Sequence, residues 1–139
     1  MKDVEVFFDT NIIVYHYSDV DVDKQRRAAE ILTPHVERRT GAVSAQVMQE
    51  CLHVLTGKIK ASVDTAELYA AQVLRPLYRI DTTAELIDSA MEVKRRWRFS
   101  FYDSLVIAAA LACDAKTLYS EDLQHGQKIE KLTIVNPFL

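Results

Sequence analysis

The sequence predicts an α/β domain of three layers, with a short central parallel sheet flanked by helices. Three observations predict it. Short β-rich runs alternate with longer stretches of helical periodicity, the pattern of parallel strands joined by helical crossovers. The most apolar stretch, Ser100 to Cys113, has almost no polar face, as expected of a helix buried centrally. The chain of 139 residues is 49% hydrophobic and 27% charged, with only 3 Gly and 3 Pro. That is enough apolar material for one core, without the bias of a disordered or fibrous chain. We expect one domain over residues 1–139, with no linker and no internal repeat.

The elements follow in order. Val4, Val6, Phe7 and Phe8 form a strand that stops at Asp9, and Asn11 to Tyr17 is helix-compatible. The polar stretch Ser18 to Asp23 breaks that helix. Lys24 to Arg39 carries Ala28, Ile31, Leu32 and Val36 at helical spacing, with Pro34 expected to kink or restart it and Gly41 to end it. Ala42 to Ser44 reads as a second strand, followed by a helix from Ala45 to Thr56 that Gly57 closes. Asp64-x-x-Glu67 and Thr82-x-x-Glu85 read as capping boxes that open two further helices. Between them Leu77 to Ile80 is a third strand. In the helix from Ala84, the residues Ile87, Met91, Lys94 and Trp97 lie roughly on one stripe. Thr117 to Ser120 and Leu132 to Val135 complete five strands, and Pro137 closes the fold.

Seventeen Lys and Arg against 20 Asp and Glu give a formal net charge of −3, which argues against a basic nucleic-acid coat protein. It leaves open an enzyme that meets nucleic acid through metal ions. Cys51 and Cys113 both lie in apolar runs with no zinc-like spacing, so they read as reduced core thiols of a cytoplasmic protein. No stretch has the apolar length of a membrane span, and the N-terminal residues lack signal-peptide architecture.

Four acids carry the functional reading. Asp9 ends the first strand, Glu50 lies in the helix after the second, Asp103 is in the first turn of the buried helix, and Asp122 follows the fourth strand. Ligands of parallel α/β sheets sit outside the carboxyl ends of the strands, and these four fall at or near that edge. Each has a plain structural explanation: Asp9 as an N-cap, Ser100-x-x-Asp103 as a capping pair, Asp122 as a loop acid. Glu50 is the hardest to dismiss, because Val47, Cys51 and Val54 suggest that its face is at least half buried. Converging carboxylates raise one another's pKa unless a cation sits among them. An all-oxygen set suits Mg²⁺ or Mn²⁺ rather than zinc.

The motifs F-F-D-T-N at Phe7 to Asn11, S-x-Q-V-M-Q-E at Ser44 to Glu50, F-Y-D-S-L-V-I-A-A-A at Phe101 to Ala110 and L-Y-S-E-D-L at Leu118 to Leu123 resemble the PIN-domain family, most closely the VapC-type toxins of bacterial toxin–antitoxin pairs. The resemblance runs in order along nearly the whole chain. It implies a PIN-like fold and a metal-dependent ribonuclease whose catalytic and metal-binding quartet is Asp9, Glu50, Asp103 and Asp122. It also implies supporting roles for Asn11 and for Ser120, two positions before the last acid. Glu121 adjoins Asp122 and competes for the fourth role, although the S-x-D spacing favours Asp122. RNA as substrate, a small antitoxin as partner, a homodimer and cleavage to a 5′-phosphate and a 3′-hydroxyl are further implications. Apolar residues of the early helices, including Ile12, Val14, Tyr15 and Tyr17, are either partner contacts or core.

Other signals are weaker. Asp19, Asp21, Asp23 and Glu30 fit four positions of a calcium loop, but Lys24 stands where the turn needs Gly, so the segment reads as a solvated acidic loop capping a basic-faced helix. Asp9-Thr10-Asn11 lacks the second Asp of phosphoaspartate enzymes. Lys94 to Arg98 is the densest basic segment; Arg95, Arg96 and Arg98 are candidates for a phosphate-contacting rim, against the reading of a solvated helix end. Lys58 and Lys60 are a lesser candidate, and His53 is expected at the surface or half-buried. The competing functions are a non-catalytic RNA- or protein-binding module of the same fold and a structure-specific DNA nuclease.

Overall fold

A computed structural model describes residues 3–139. The elements are β1 (Val6–Phe8), α1 (Thr10–Tyr17), α2 (Val22–Arg38), β2 (Gly41–Ser44), α3 (Ala45–Thr56), α4 (Val63–Tyr69), a π-turn at Ala70–Leu74 leading into the short α5 (Arg75–Leu77), β3 (Tyr78–Ile80), α6 (Ala84–Trp97), α7 (Phe101–Ala112), β4 (Thr117–Tyr119), β5 (Lys128–Ile129) and β6 (Leu132–Val135). The strands form one sheet in the order β3-β2-β1-β4-β6-β5. Every neighbouring pair is parallel except β5 with β6. Helices flank the sheet, as the alternating pattern predicts.

The core forms where apolar runs meet. Phe7, Phe8, Ile12, Ile13, Leu32, Ala42, Val43 and Leu118 are fully buried, and α7 contributes an unbroken buried run from Ser104 to Ala110. No helix among the described residues is long and apolar enough to cross a membrane. Cys51 is buried and Cys113 half-buried, and both are free thiols. Burial pushes Cys113 up to about 11 and Cys51 higher still, so neither is a nucleophile near neutrality.

Several local expectations are corrected. The α2 helix starts at Val22 and runs through Pro34 without a break. The bond Pro34 cannot make would go to the carbonyl of Glu30, and the helix continues past it to Arg38. Arg39 ends α2 in the left-handed conformation at φ 59°. Gly41 instead opens β2, where a Cβ would stand 2.9 Å from Leu77 Cδ2 and from Phe8 Cε2. Ser62, rather than Asp64, caps α4, and Thr83, rather than Thr82, caps α6. The α6 stripe is turned by one residue: Leu86, Ala90 and Val93 are buried, whereas Ile87 and Met91 are 39% and 45% exposed. A sixth strand, β5, is two residues long and pairs back on β6, too short to show as a periodic signal.

Candidate active site

The order of the strands sets the location. From β1 the chain steps outward to β2 and β3 on one side, and β4 and β6 lie on the other. The crevice of such a sheet opens at the carboxyl ends of the strands where that direction reverses, here β1 and β4. Phe8 pairs with Tyr119, and the Asp9 amide donates to the Tyr119 carbonyl at 3.0 Å. The first residues beyond the two strands, Asp9 and Ser120, are therefore neighbours.

Asp9 is only 8% exposed. Its Oδ1 accepts from the Thr10 amide at 2.7 Å and its Oδ2 from the Ser120 hydroxyl at 2.8 Å, so it is indeed the N-cap of α1. The cap does not account for its charge. Burial raises its carboxyl from the usual 3.8 to about 6; the Ser120 and Thr10 bonds oppose that rise, and nearby Asp122 and Glu50 add to it. Lys24, Arg26, Arg27 and Arg95 form ion pairs with Glu121, Asp23, Glu30 and Glu92, and His35 Nδ1 lies 3.7 Å from Glu5 Oε2; none of these contacts engages Asp9, Glu50, Asp103 or Asp122.

The carboxylates of Asp122 and Glu50 are each held by neighbouring side chains. Asp122 is exposed; its Oδ2 accepts from Asn11 Nδ2 at 2.9 Å, and its amide donates to Ser120 Oγ at 3.3 Å. Asn11 also accepts from the Glu121 amide at 3.4 Å, so it grips the turn from both sides. Glu50 is exposed rather than half-buried, because Val47 and Cys51 point into the core while Glu50 lies at the margin of that face. Gln46 Nε2 donates to its Oε1 at 2.8 Å, and Thr10 Oγ1 to its Oε2 at 3.3 Å. The same Gln46 amide donates to the Tyr102 carbonyl at 3.3 Å, which ties α3 to the first turn of α7. Asp103 is half-buried in that turn, its amide donating to the capping Ser100 hydroxyl at 3.1 Å.

Glu121 faces elsewhere. Its Oε1 accepts from the Tyr15 hydroxyl at 2.7 Å, and its Oε2 is paired with the Lys24 ammonium. The acidic loop before α2 is accounted for locally, since Asp21 caps the helix and Asp23 and Glu30 pair with arginines one turn away. Arg95, Arg96 and Arg98 are exposed at the end of α6, a few residues before Asp103. His53 is exposed. Ile12 is core, whereas Val14, Tyr15 and Tyr17 line a groove of about 730 Å³ that also includes Val54 and Ile59.

The donor set fits a hard divalent cation in its chemistry: carboxylate oxygens, one of them on the buried Asp9. Two buried oxygens, Gln46 Oε1 and Ser104 Oγ, have no partner, and each belongs to a residue beside one of these acids. Among the described residues, however, no three acidic, histidine or cysteine side chains close into a ready cage. The sequence does not single out Gln46, Thr10 or Lys24, and it offers Tyr15 only as a partner contact or core residue, not as the donor to Glu121. Gln46 was legible in principle, standing one helical turn before Glu50. Lys24 was not, since it stands 97 positions before Glu121.

Residues 6–129 match the family described as PIN domain. The chain belongs to the PIN domain family. Two solved structures share the fold of this PIN domain. One is the Mycobacterium tuberculosis VapC20, described as a sarcin-ricin loop cleaving toxin. It has a TM-score of 0.66 at 20% identity, with 85% of this chain and 90% of that one covered. The other is a toxin–antitoxin complex from Klebsiella pneumoniae, with a TM-score of 0.67 at 18% identity and coverage of 96% and 98%. Comparison with curated proteins gives no match.

Proposed function

We propose that this PIN domain, as one unit over residues 1–139, is an endoribonuclease dependent on Mg²⁺ or Mn²⁺. It serves as the toxin of a type II toxin–antitoxin pair. The observation that carries the reading is Asp9, a buried carboxylate at the switch point of the sheet, raised by its burial and by two neighbouring acids. A fold maintained around such a group at a cost to its own stability is a fold organised for a ligand. Family membership and the two toxin structures support RNA as the substrate class and an antitoxin as partner.

Asp9, Glu50, Asp103 and Asp122 would hold the cation. Its chemistry when bound is to offset phosphate charge and acidify water. The chain's own groups do the positioning. Ser120 and Thr10 fix the Asp9 carboxylate, Asn11 fixes Asp122, and Gln46 and Thr10 fix Glu50. Arg95, Arg96 and Arg98 supply cations for the RNA backbone, and the expected products carry a 5′-phosphate and a 3′-hydroxyl. The groove beside Tyr15 and Tyr17 is the face offered to the antitoxin. The protein works in the cytoplasm as a homodimer.

The reading it must beat is a binding module of the same fold that does not cut. Sequencing of RNA ends after expression of the wild type and Asp9→Asn separates the two. Discrete new 5′ ends that vanish in the variant are expected. Equal cleavage by both proteins would sink the assignment, and no cleavage by either, with no Mn²⁺ binding that depends on Asp9 and Asp103, would select the module.

A further inference from the structure

Two carboxylates stand side by side in the turn after β4, Glu121 and Asp122, and only one of them faces the site. The backbone alone does not make that choice, because residues 121–123 form an irregular bend with no ladder to impose a side. The choice is made by side chains from two helices. Asn11 of α1 holds the Asp122 carboxylate and receives the Glu121 amide. One turn further along α1, Tyr15 donates to Glu121 Oε1, and Lys24 of α2 pairs with Glu121 Oε2 while also donating to the Tyr15 hydroxyl at 3.2 Å.

Lys24 is itself constrained. Its ammonium lies 4.7 Å from the centre of the Tyr15 ring and 5.3 Å from that of Phe138. The two rings meet edge to face at 5.1 Å, and Arg27 anchors the same terminal segment by donating to the Pro137 carbonyl at 3.0 Å. A cation flanked by aromatic faces and bonded to a carboxylate has few other places to go. An exposed surface pair would have neither constraint.

We propose that Lys24, acting with Tyr15, is a positioning residue that sequesters and neutralises Glu121, so that Asp122 alone of the two acids is presented to Asp9. This rests on the proposed function above. Without Lys24, Glu121 keeps only the Tyr15 hydroxyl and is an uncompensated carboxylate one residue from Asp122. It would add a competing ligand and an uncompensated negative charge where a phosphodiester must approach. The consequence differs from simple loss of structure: an extra carboxylate strengthens the hold on a cation while misplacing it for catalysis.

The test compares Lys24→Met, Lys24→Arg, Glu121→Gln and the double variant Lys24→Met/Glu121→Gln with the wild type and Asp9→Asn. Mn²⁺ binding is read by calorimetry, kcat and KM by RNA cleavage, and folding by the melting temperature. Changes to groups that orient metal ligands typically shift affinity or activity by about 10- to 100-fold. Lys24→Met is expected to bind Mn²⁺ at least as tightly as the wild type, yet to lose about tenfold in kcat. Lys24→Arg should lose less, and adding Glu121→Gln to Lys24→Met should recover most of the lost kcat. If Lys24→Met loses Mn²⁺ binding and cleavage together, or the double variant is no better than Lys24→Met, the sequestering role is overturned. A wild type that neither binds Mn²⁺ through Asp9 nor cuts RNA would overturn the ribonuclease reading itself, a distinct result from a normal wild type with an unselective Lys24 series.

Discussion

Asp9 joins two roles whose demands differ. As an N-cap it needs only an oxygen aimed at the Thr10 amide, and an asparagine would serve as well. As the proposed cation ligand near Asp122 and Glu50 it needs its negative charge, which burial opposes. The folded state holds the proton more tightly than the unfolded chain, so stability is fullest below the unfolded value of 3.8 and falls as pH rises to about 6, beyond which the loss is complete. Asp9→Asn keeps the cap and removes the charge. It should melt close to the wild type at pH 4 and above it at pH 7, by up to about 3 kcal/mol. Calorimetry across that range checks the convergence, and a constant difference at every pH would contradict it. Mn²⁺ at pH 7 should raise the melting temperature of the wild type and leave the variant nearly unmoved. If that gain is measured, the Asp9 carboxylate costs the fold stability that an amide would not, which the proposed cation site accounts for.

At the scale of elements, most of the fold was legible because its causes are local. Strand β1 ends at Asp9, Gly57 caps α3 and Ser100 caps α7, as their types at those positions suggest. The misreadings share one physical source, the choice among neighbouring residues of similar character. Ser62 and Asp64, or Thr82 and Thr83, are equally good caps by type, and only the geometry of the incoming chain selects one. In α6, Ile87 and Met91 carry more apolar surface than Ala90, yet Ala90 faces the core. Helix α7 packs against α6, and Ala90 shares the buried stripe of α6 with Leu86 and Val93. Leu86→Ala should therefore destabilise the fold by about 2–4 kcal/mol. Met91→Glu should change stability by no more than about 0.5 kcal/mol. Denaturant titration of both variants checks the phase of the helix, and the reverse ranking would restore the other stripe.

Over the whole molecule, the net charge of −3 conceals an uneven distribution. Removing the four negative charges of Asp9, Glu50, Asp103 and Asp122 from that total leaves +1, so the rest of the surface is nearly neutral rather than acidic. What the sequence could not reveal was how distant segments share this charge. The strand order that sets Asp9 beside Ser120, and the Lys24–Glu121 pair, join residues about a hundred positions apart, and no local pattern encodes them. The basic end of α6 is different, because chain continuity alone carries Arg98 into the Ser100 cap and on to Asp103. Arg95 is bonded to Glu92 at 2.6 Å, and the Arg96 guanidinium lies 5.5 Å from the centre of the Trp97 ring. Both are exposed, and neither is used by the core. If they contact RNA phosphates, each contact releases counterions and contributes about 0.7 to the slope of log affinity against log salt for a single strand. Arg95→Glu/Arg96→Glu should weaken binding to RNA of any sequence and flatten that slope by about 1.4, with the melting temperature little changed. Binding of the Asp9→Asn form to a labelled single strand, at several salt concentrations, measures this without cleavage intervening. An unchanged slope would assign these arginines to helix solvation and move the search for the RNA-contacting cations to Lys58 and Lys60 beyond the end of α3.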